Sequence, residues 1–229
     1  NGILRRPYRP AWAPGDDMLM AYYVVGANWP IRMNGHHSAA PYGRLSPAEV
    51  ALSPTVNPED FMTIHLIRHF STPGNLERRY VGVTDENIVS PSLPLPGYPS
   101  VEVVAVSPMR RCEQTAALIY PGVVPVVVPD FREIDFGRFE YKTYGELSGD
   151  ADYQRWIDSG GTLPFPGGEA RAQFIDRTVQ AFDRLMAHWN ARAAALVAHG
   201  GTVMAICASR AMPAREYFDY QLPPGGRIT

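Results

Sequence analysis

The chain has 229 residues, of which 45% are hydrophobic and 19% charged, and its formal net charge at pH 7 is −2. A nearly neutral chain offers no basic surface to a polyanion, so the composition argues against a nucleic-acid partner. No apolar run is long enough to cross a bilayer and no signal peptide is visible, so we expect no membrane partner. The two cysteines, Cys112 and Cys207, lack metal-ligand spacing and indicate reduced packing residues of a cytoplasmic protein.

Residues 1–60 differ from the rest of the chain, because they are rich in proline and glycine and show no sustained periodicity. We expect an N-terminal extension of unassigned role, with one strand over residues 18–25, followed by a domain over residues 61–229. The pair His36-His37 has no companion ligand at a suitable spacing, which favours a solvated loop over a metal site.

From Met62 onward, strand and helix signals alternate, which predicts a mostly parallel, doubly wound α/β sheet flanked by helices. Residues 62–67 form a short apolar run, typical of a buried strand, that ends in Arg68-His69 and a turn. Because ligands of open α/β sheets bind beyond the carboxyl ends of the strands, Arg68 and His69 could face a substrate. Taken alone, this stretch fits an ordinary surface loop equally well.

Residues 101–106 predict a second buried strand that leads into a helix, with Ser107 as its N-cap and Pro108 at its first position. Arg111 would lie in the first turn of that helix, where backbone N–H groups favour an anion. Considered alone, Arg111 is more simply interpreted as solvated. Residues 123–128 predict a further strand.

Four helices and two strands are predicted in the remainder of the chain. Thr143 and Glu146 form a capping-box pattern for a short helix, and residues 150–158 predict another. A longer helix has an apolar stripe of core residues, namely Ile175, Val179, Phe182, Met186 and Trp189. Residues 193–198 then form a third buried strand that ends in His199-Gly200-Gly201, followed by a helix to about residue 211 and a last strand from residue 226.

Taken together, these segments resemble the histidine phosphatase superfamily, which has a phosphoglycerate-mutase-like fold. The resemblance covers residues 62–229 and rests on five segments in the family's order: LIRH at 66–69 with Thr72 and Asn75, SPMRRCEQTA at 107–116, REIDFGRFE at 132–140, PGGE at 166–169 and VAHGG at 197–201. Residues 74–85 are most similar to small bacterial α-ribazole phosphatases.

The resemblance implies that His69 is a nucleophile that forms a phosphohistidine, while Arg68, Arg111 and His199 hold the phosphoryl oxygens. A cluster of cations can stabilise phosphoryl transfer without a metal, so no cofactor or metal is expected.

The same resemblance implies that Glu133 protonates the leaving alkoxide and then helps to deprotonate water. Thr72, Asn75 and Gly200 would add neutral hydrogen bonds to the phosphate. Glu169 occupies a motif position, where we expect it to order a loop rather than to do chemistry.

The chain departs from the family pattern in three places. Phe70 stands where glycine usually follows the nucleophilic histidine, and it could crowd the phosphate pocket or narrow substrate choice. Tyr141 replaces a frequent glycine after Glu140. A short proline-rich connection over residues 90–100 replaces a helix, so either this crossover is atypical or residues are missing there.

The expected activity is therefore metal-independent hydrolysis of a small-molecule phosphate monoester, with α-ribazole phosphate as one candidate substrate. Two alternatives stay open: a phosphoglycerate-mutase-type phosphotransferase and a phosphate-binding module with weakened catalysis. The aromatic residues between positions 130 and 170 fit either a wall for a planar group or core packing. The sequence leaves open whether the protein is a monomer or a homodimer.

Overall fold

The computed structural model describes residues 62–91, 95, 97–211 and 214–229. The predicted extension over residues 1–60, with its strand at residues 18–25 and its histidine pair, lies outside the described residues. Its boundary with the following domain therefore stays a prediction.

A five-stranded sheet forms the centre of the described chain. Its strands are β1 (Thr63–Arg68), β2 (Val103–Val106), β3 (Val126–Val127), β4 (Ala193–Ala198) and β5 (Arg227–Ile228). The spatial order is β3-β2-β4-β1-β5, and β5 alone of these strands runs antiparallel to its neighbour. The predicted, mostly parallel α/β sheet is confirmed.

The helices of the described chain are α1 (Pro73–Leu76), α2 (Arg110–Ile119), α3 (Tyr144–Leu147), α4 (Ala151–Asp158), α5 (Arg171–His188) and α6 (Gly200–Arg210). Short 3₁₀ turns occupy Pro129–Phe131, Gly137–Phe139 and Tyr217–Tyr220. The capping box predicted for Thr143 and Glu146 is confirmed at the start of α3.

Both faces of the sheet are covered by helices. Ile64 and Leu66 pack in one cluster with Phe182 of α5 and Ile206 of α6. Ile67 points to the opposite face, where it packs in a second cluster with α2. Because successive side chains of a strand alternate between faces, a strand covered on both sides needs apolar residues almost throughout. This explains the continuous apolar runs of β1 and β4.

A third, largely aromatic cluster lies beneath α3 and α4 and contains Phe139, Leu147, Tyr153, Phe165 and Phe174. Each of these side chains is at most 5% exposed. Core packing therefore accounts for Phe139, Tyr153 and Phe165 of the 130–170 region.

Two local predictions are wrong. The strand expected over residues 123–128 shrinks to β3, which lies at the sheet edge and pairs with β2 alone. The N-cap of α2 is Met109 rather than Ser107, because Ser107 directly follows β2 and its N–H still donates to the Val197 carbonyl of β4.

The connection from β1 to β2 has little helix in its described parts, and the choice between an atypical crossover and missing residues stays a prediction. β4 lies between the two strands, so the chain must cross an intervening strand. In the described parts of the connection, α1 is the only helix and measures four residues.

Candidate active site

The strand order brings the two candidate histidines together at the carboxyl ends of two central strands. β1 and β4 are parallel neighbours in a register that pairs Arg68 with Ala198. The next residue in each chain segment is a histidine, and the His69 N–H donates to the Ala198 carbonyl at 2.9 Å. The two imidazole rings meet edge to face, with 5.2 Å between their centroids.

The protonation state of His69 follows from its surroundings. Its Nδ1 lies 2.6 Å from the Phe70 carbonyl oxygen, which can only accept, so Nδ1 carries the proton. Burial lowers the pKa of His69 to about 3, and the charges of Arg111 and Arg68 act in the same direction. A neutral ring with a proton on Nδ1 has its lone pair on Nε2, and that atom is the available nucleophile.

His199 is fully buried and also neutral, because burial and the Arg111 charge lower its pKa well below the usual value. Its Nδ1 accepts a hydrogen bond from Arg111 Nε at 3.2 Å, so its proton must be on Nε2. That Nε2–H donates to Ser107 Oγ at 2.7 Å. Ser107 thus orients His199.

Arg111 is 0% exposed, so the interpretation as a solvated arginine is wrong. Its Nη1 and Nη2 donate to the carbonyls of Thr84 and Gly82, each at 2.8 Å. Glu140 Oε1 accepts the N–H groups of the same two residues at 3.0 and 2.9 Å. The short segment 82–84 is therefore held on one side by a carboxylate while it fixes a guanidinium on the other.

Arg68 lies in the same cluster, and burial lowers its pKa. Its Nη1 donates to the Leu222 carbonyl at 2.6 Å. Its Nε is buried and has no hydrogen-bond partner within the described part of the chain. A buried N–H without an acceptor is unfavourable, and an anionic oxygen placed there would satisfy it.

Glu133 follows the 3₁₀ turn Pro129–Phe131 and points to the start of α6. Its Oε1 accepts the Ile134 N–H at 3.0 Å, and its Oε2 accepts the Gly201 N–H at 3.1 Å. Burial raises the pKa of the Glu133 carboxyl, although these two N–H groups and the arginines Arg111 and Arg68 oppose that shift. A raised pKa favours a carboxyl group that can donate a proton.

The three residues expected to add neutral hydrogen bonds have different surroundings. Thr72 and Asn75 form a capping box for α1: each side chain accepts the other's backbone N–H at 3.3 Å. Both side-chain oxygens thereby accept within local structure, which leaves the Asn75 amide group and the Thr72 O–H as donors for a ligand. Gly200 begins α6, and a Cβ built on it would lie 3.5 Å from the Arg68 guanidinium.

Phe70 is accommodated beside the site. Its ring packs edge to face on Tyr98, with 6.3 Å between centroids. A Cβ placed on Gly225 would come within 2.9 Å of the Phe70 ring, so a glycine there makes room for it. The backbone of Phe70 accepts the His69 proton described above and donates to Thr115 Oγ1 at 3.0 Å.

Tyr141, which replaces a frequent glycine, has φ = 59° in the left-handed region that glycine adopts most easily. Its hydroxyl donates to Glu86 at 2.7 Å, and the Arg79 guanidinium lies 5.2 Å from its ring centroid.

One site residue was missed by the sequence reasoning, namely Ser107, which was assigned to a helix cap. The signal that could have found it is the strand-end rule, since β2 and β4 are neighbours and Ser107 and His199 both follow directly on their strands.

A shallow groove of about 300 Å³ beside β3 contains none of the candidate residues. Within the described residues no group of three or more His, Cys, Asp or Glu could hold a metal ion.

The family comparison matches this arrangement. The model for the histidine phosphatase superfamily (branch 1) matches residues 97–228, which is more than half of the chain. The chain belongs to the histidine phosphatase superfamily. The matched range includes Arg111, Glu133 and His199, whereas Arg68 and His69 lie N-terminal to it.

Solved structures extend the likeness to residues before position 97. An Escherichia coli structure described as an alpha-ribazole-5'-P phosphatase is 22% identical, with a TM-score of 0.65, and the match covers 72% of this chain and 88% of that one. The alpha-ribazole phosphatase of Shigella flexneri is 21% identical, with a TM-score of 0.62 and coverage of 72% and 87%. A phosphoglycerate mutase from Thermus thermophilus is 28% identical, with a TM-score of 0.56 and coverage of 72% and 90%.

Residues 97–229 alone make up less than three fifths of the chain, so a match of 72% must include residues before position 97.

No curated protein sequence matches the chain significantly. Among the described residues no helix combines the length and hydrophobicity needed to span a membrane.

Proposed function

We propose that the protein is a cytoplasmic, metal-independent phosphomonoesterase that acts on a small-molecule phosphate through a phosphohistidine. The observation that carries the proposal is the pairing of a neutral His69, whose Nε2 lone pair is available, with the unpartnered Nε–H of Arg68. A nucleophile beside a buried donor suits attack on phosphorus with stabilisation of the phosphoryl oxygens.

In the first step, Nε2 of His69 attacks the phosphorus atom and the bond to the ester oxygen breaks. Arg68 and Arg111 hold the phosphoryl oxygens, and His199 can donate its Nε2 proton to one of them in place of Ser107. Glu133 donates its proton to the departing alkoxide, so the alcohol leaves neutral. The products of this step are phosphohistidine and an ionised Glu133.

In the second step, a water molecule attacks the phosphohistidine. Glu133, now ionised, takes the proton of that water, and inorganic phosphate forms while the Nε2 lone pair of His69 is restored. The cations supply the charge stabilisation that a metal provides in other phosphatases, so no cofactor enters the proposal.

The decisive experiment measures p-nitrophenyl phosphate hydrolysis with EDTA present, for the intact protein and for His69→Ala. We expect turnover that EDTA does not reduce and that the variant loses, because the substitution removes the attacking nitrogen. Absence of turnover by the intact protein would leave the phosphate-binding module as the better interpretation.

Two further measurements refine the proposal. Glu133→Gln should reduce hydrolysis of an alkyl phosphate about 10²-fold or more, but that of p-nitrophenyl phosphate much less, because nitrophenolate leaves without a proton. The first natural substrate to test is alpha-ribazole-5'-phosphate, since two structures of similar fold are described as phosphatases of this compound.

A mutase is the second candidate, favoured by the Thermus thermophilus structure described as a phosphoglycerate mutase. Incubation with 3-phosphoglycerate separates the two activities. A phosphatase releases inorganic phosphate, whereas a mutase returns the phosphoryl group to the substrate at a different position.

A further inference from the structure

Arg177 of α5 lies at the back of the acid loop, which we define as residues 130–135. Its Nε and Nη2 donate to the two carboxylate oxygens of Glu169, each at 2.7 Å. Both side chains of this ion pair are 14% exposed. A bidentate pair with little solvent access has a fixed geometry, unlike most surface salt bridges.

The remaining N–H groups of Arg177 hold the backbone of the acid loop. Nη1 donates to the carbonyls of Asp130 at 2.7 Å and Arg132 at 3.0 Å, and Nη2 donates to the carbonyl of Glu133 at 3.2 Å. A guanidinium has five N–H groups, and these bonds together with the two to Glu169 use all five. Arg177 therefore contacts the residue that carries the candidate acid and two of the three residues before it.

Glu169 binds the other end of the same loop. Its backbone N–H donates to the Asp135 carbonyl at 2.9 Å. The neighbouring Gly168 is so close that a Cβ there would lie 2.4 Å from the same carbonyl. Arg177 thus fixes the acid loop up to Glu133, and the segment Gly168-Glu169 fixes the part of the loop that follows Glu133.

We propose that Arg177 and Glu169 are positioning residues for Glu133, so that they control protonation of the leaving group rather than capture of the phosphate. This inference rests on the proposed function. Arg177 is anchored in α5, the longest helix of the described chain, where its neighbours Phe174 and Thr178 are fully buried. The helix α5 therefore holds the acid loop in place through the Arg177 side chain.

The acid and the cation Arg111 are held by different hydrogen bonds. Arg111 is fixed by segment 82–84 and Glu140, which do not belong to the acid loop. Loss of Arg177 should therefore move the acid and leave the cations that hold the phosphate in place. General acid catalysis contributes about 10²- to 10⁴-fold and depends strongly on position, so even a small shift has a selective effect.

The test compares an alkyl phosphate with p-nitrophenyl phosphate in the full-length protein and in Arg177→Lys and Glu169→Gln. Lysine keeps the charge and the helix but cannot span the carboxylate and three carbonyls. The matched control is Arg184→Ala, because Arg184 lies on the same helix and binds the Asp130 side chain at the surface, at 2.8 Å.

We expect Arg177→Lys to lower kcat/KM for the alkyl phosphate about tenfold or more, and that for p-nitrophenyl phosphate no more than about threefold. Glu169→Gln should change the ratio of kcat/KM for the two substrates in the same direction, and Arg184→Ala should leave this ratio unchanged. The pH above which alkyl hydrolysis declines should also fall in Arg177→Lys, because a displaced, better hydrated Glu133 has a lower pKa.

Equal losses on both substrates would overturn the inference while the phosphatase proposal stands, because they would indicate a general structural role. Unchanged kinetics in Arg177→Lys and Glu169→Gln would overturn it as well. Failure of the proposed function has a different signature, namely an intact protein that hydrolyses neither substrate.

Discussion

Gly201→Ala tests the placement of Glu133 with a single added methyl group. A Cβ at Gly201 would lie 2.2 Å from Glu133 Oε1 and 3.1 Å from its Cδ. It would also lie 3.1 Å from Phe174 Cζ, so the space is tight on that side as well. The carboxyl group must therefore move.

The size of the effect follows from these distances. Ordinary contact begins near 3.4 Å, so the Glu133 oxygen must retreat by about 1 Å. A displacement of about 1 Å in a catalytic group can lower the rate about 10²-fold, which corresponds to about 2.7 kcal/mol in the activation free energy. We expect that loss for alkyl phosphates and less than about tenfold for p-nitrophenyl phosphate.

The assay measures kcat/KM for both substrates in Gly201→Ala and in Gly200→Ala. The second variant is the control, because a Cβ at Gly200 would meet Arg68 at 3.5 Å, an ordinary contact distance. It should keep the ratio of the two rates. An unchanged ratio in Gly201→Ala, with both variants folded, would refute the assignment of Glu133 as the acid.

Two other predictions concern stability. The pKa of His69 is lowered to about 3 in the native state but is about 6.5 in the unfolded chain, so only the unfolded chain takes up this proton between those values. The titration of His69 should therefore lower the free energy of unfolding by up to about 1.4 kcal/mol for each pH unit below 6.5. When urea titrations are repeated over a series of pH values, His69→Asn should show a shallower slope of the free energy of unfolding against pH. A slope equal to that of the intact protein would contradict the buried neutral ring. At Tyr141, glycine should give a protein about 1 kcal/mol more stable than alanine does, because only alanine keeps the penalty of φ = 59°. Equal melting temperatures of the two variants would argue against that backbone conformation.

The sequence predicts the elements whose signals are local. β4 was expected at residues 193–198 and has those bounds, because a continuous apolar run stops at a histidine and two glycines. The N-cap of α4 is Asp150, where the second short helix was expected to begin. Both signals depend on neighbouring residues, which a sequence pattern contains.

The failures concern long-range partners. Ser107 fits a helix cap by sequence, but its partner His199 lies in another strand. The sequence gives no signal for the role of Arg177, whose five N–H groups bind the acid loop and Glu169. Phe174 was also absent from the predicted stripe, because α5 packs against both the sheet and the aromatic cluster. Such contacts are set by tertiary packing, which a periodic pattern does not contain.

The position of β4 also has a consequence for how the protein acquires activity during folding. β4 pairs with β1 and β2 at once, and Thr63 lies opposite Ala193, so the central contacts are highly non-local. Such pairings form slowly, because the chain must close a long loop before the contacts stabilise it. The candidate nucleophile His69, which follows β1, and the segment after β2 stay apart until β4 inserts between them. In a refolding experiment, recovery of catalytic turnover should therefore mark strand insertion and lag behind formation of the helices.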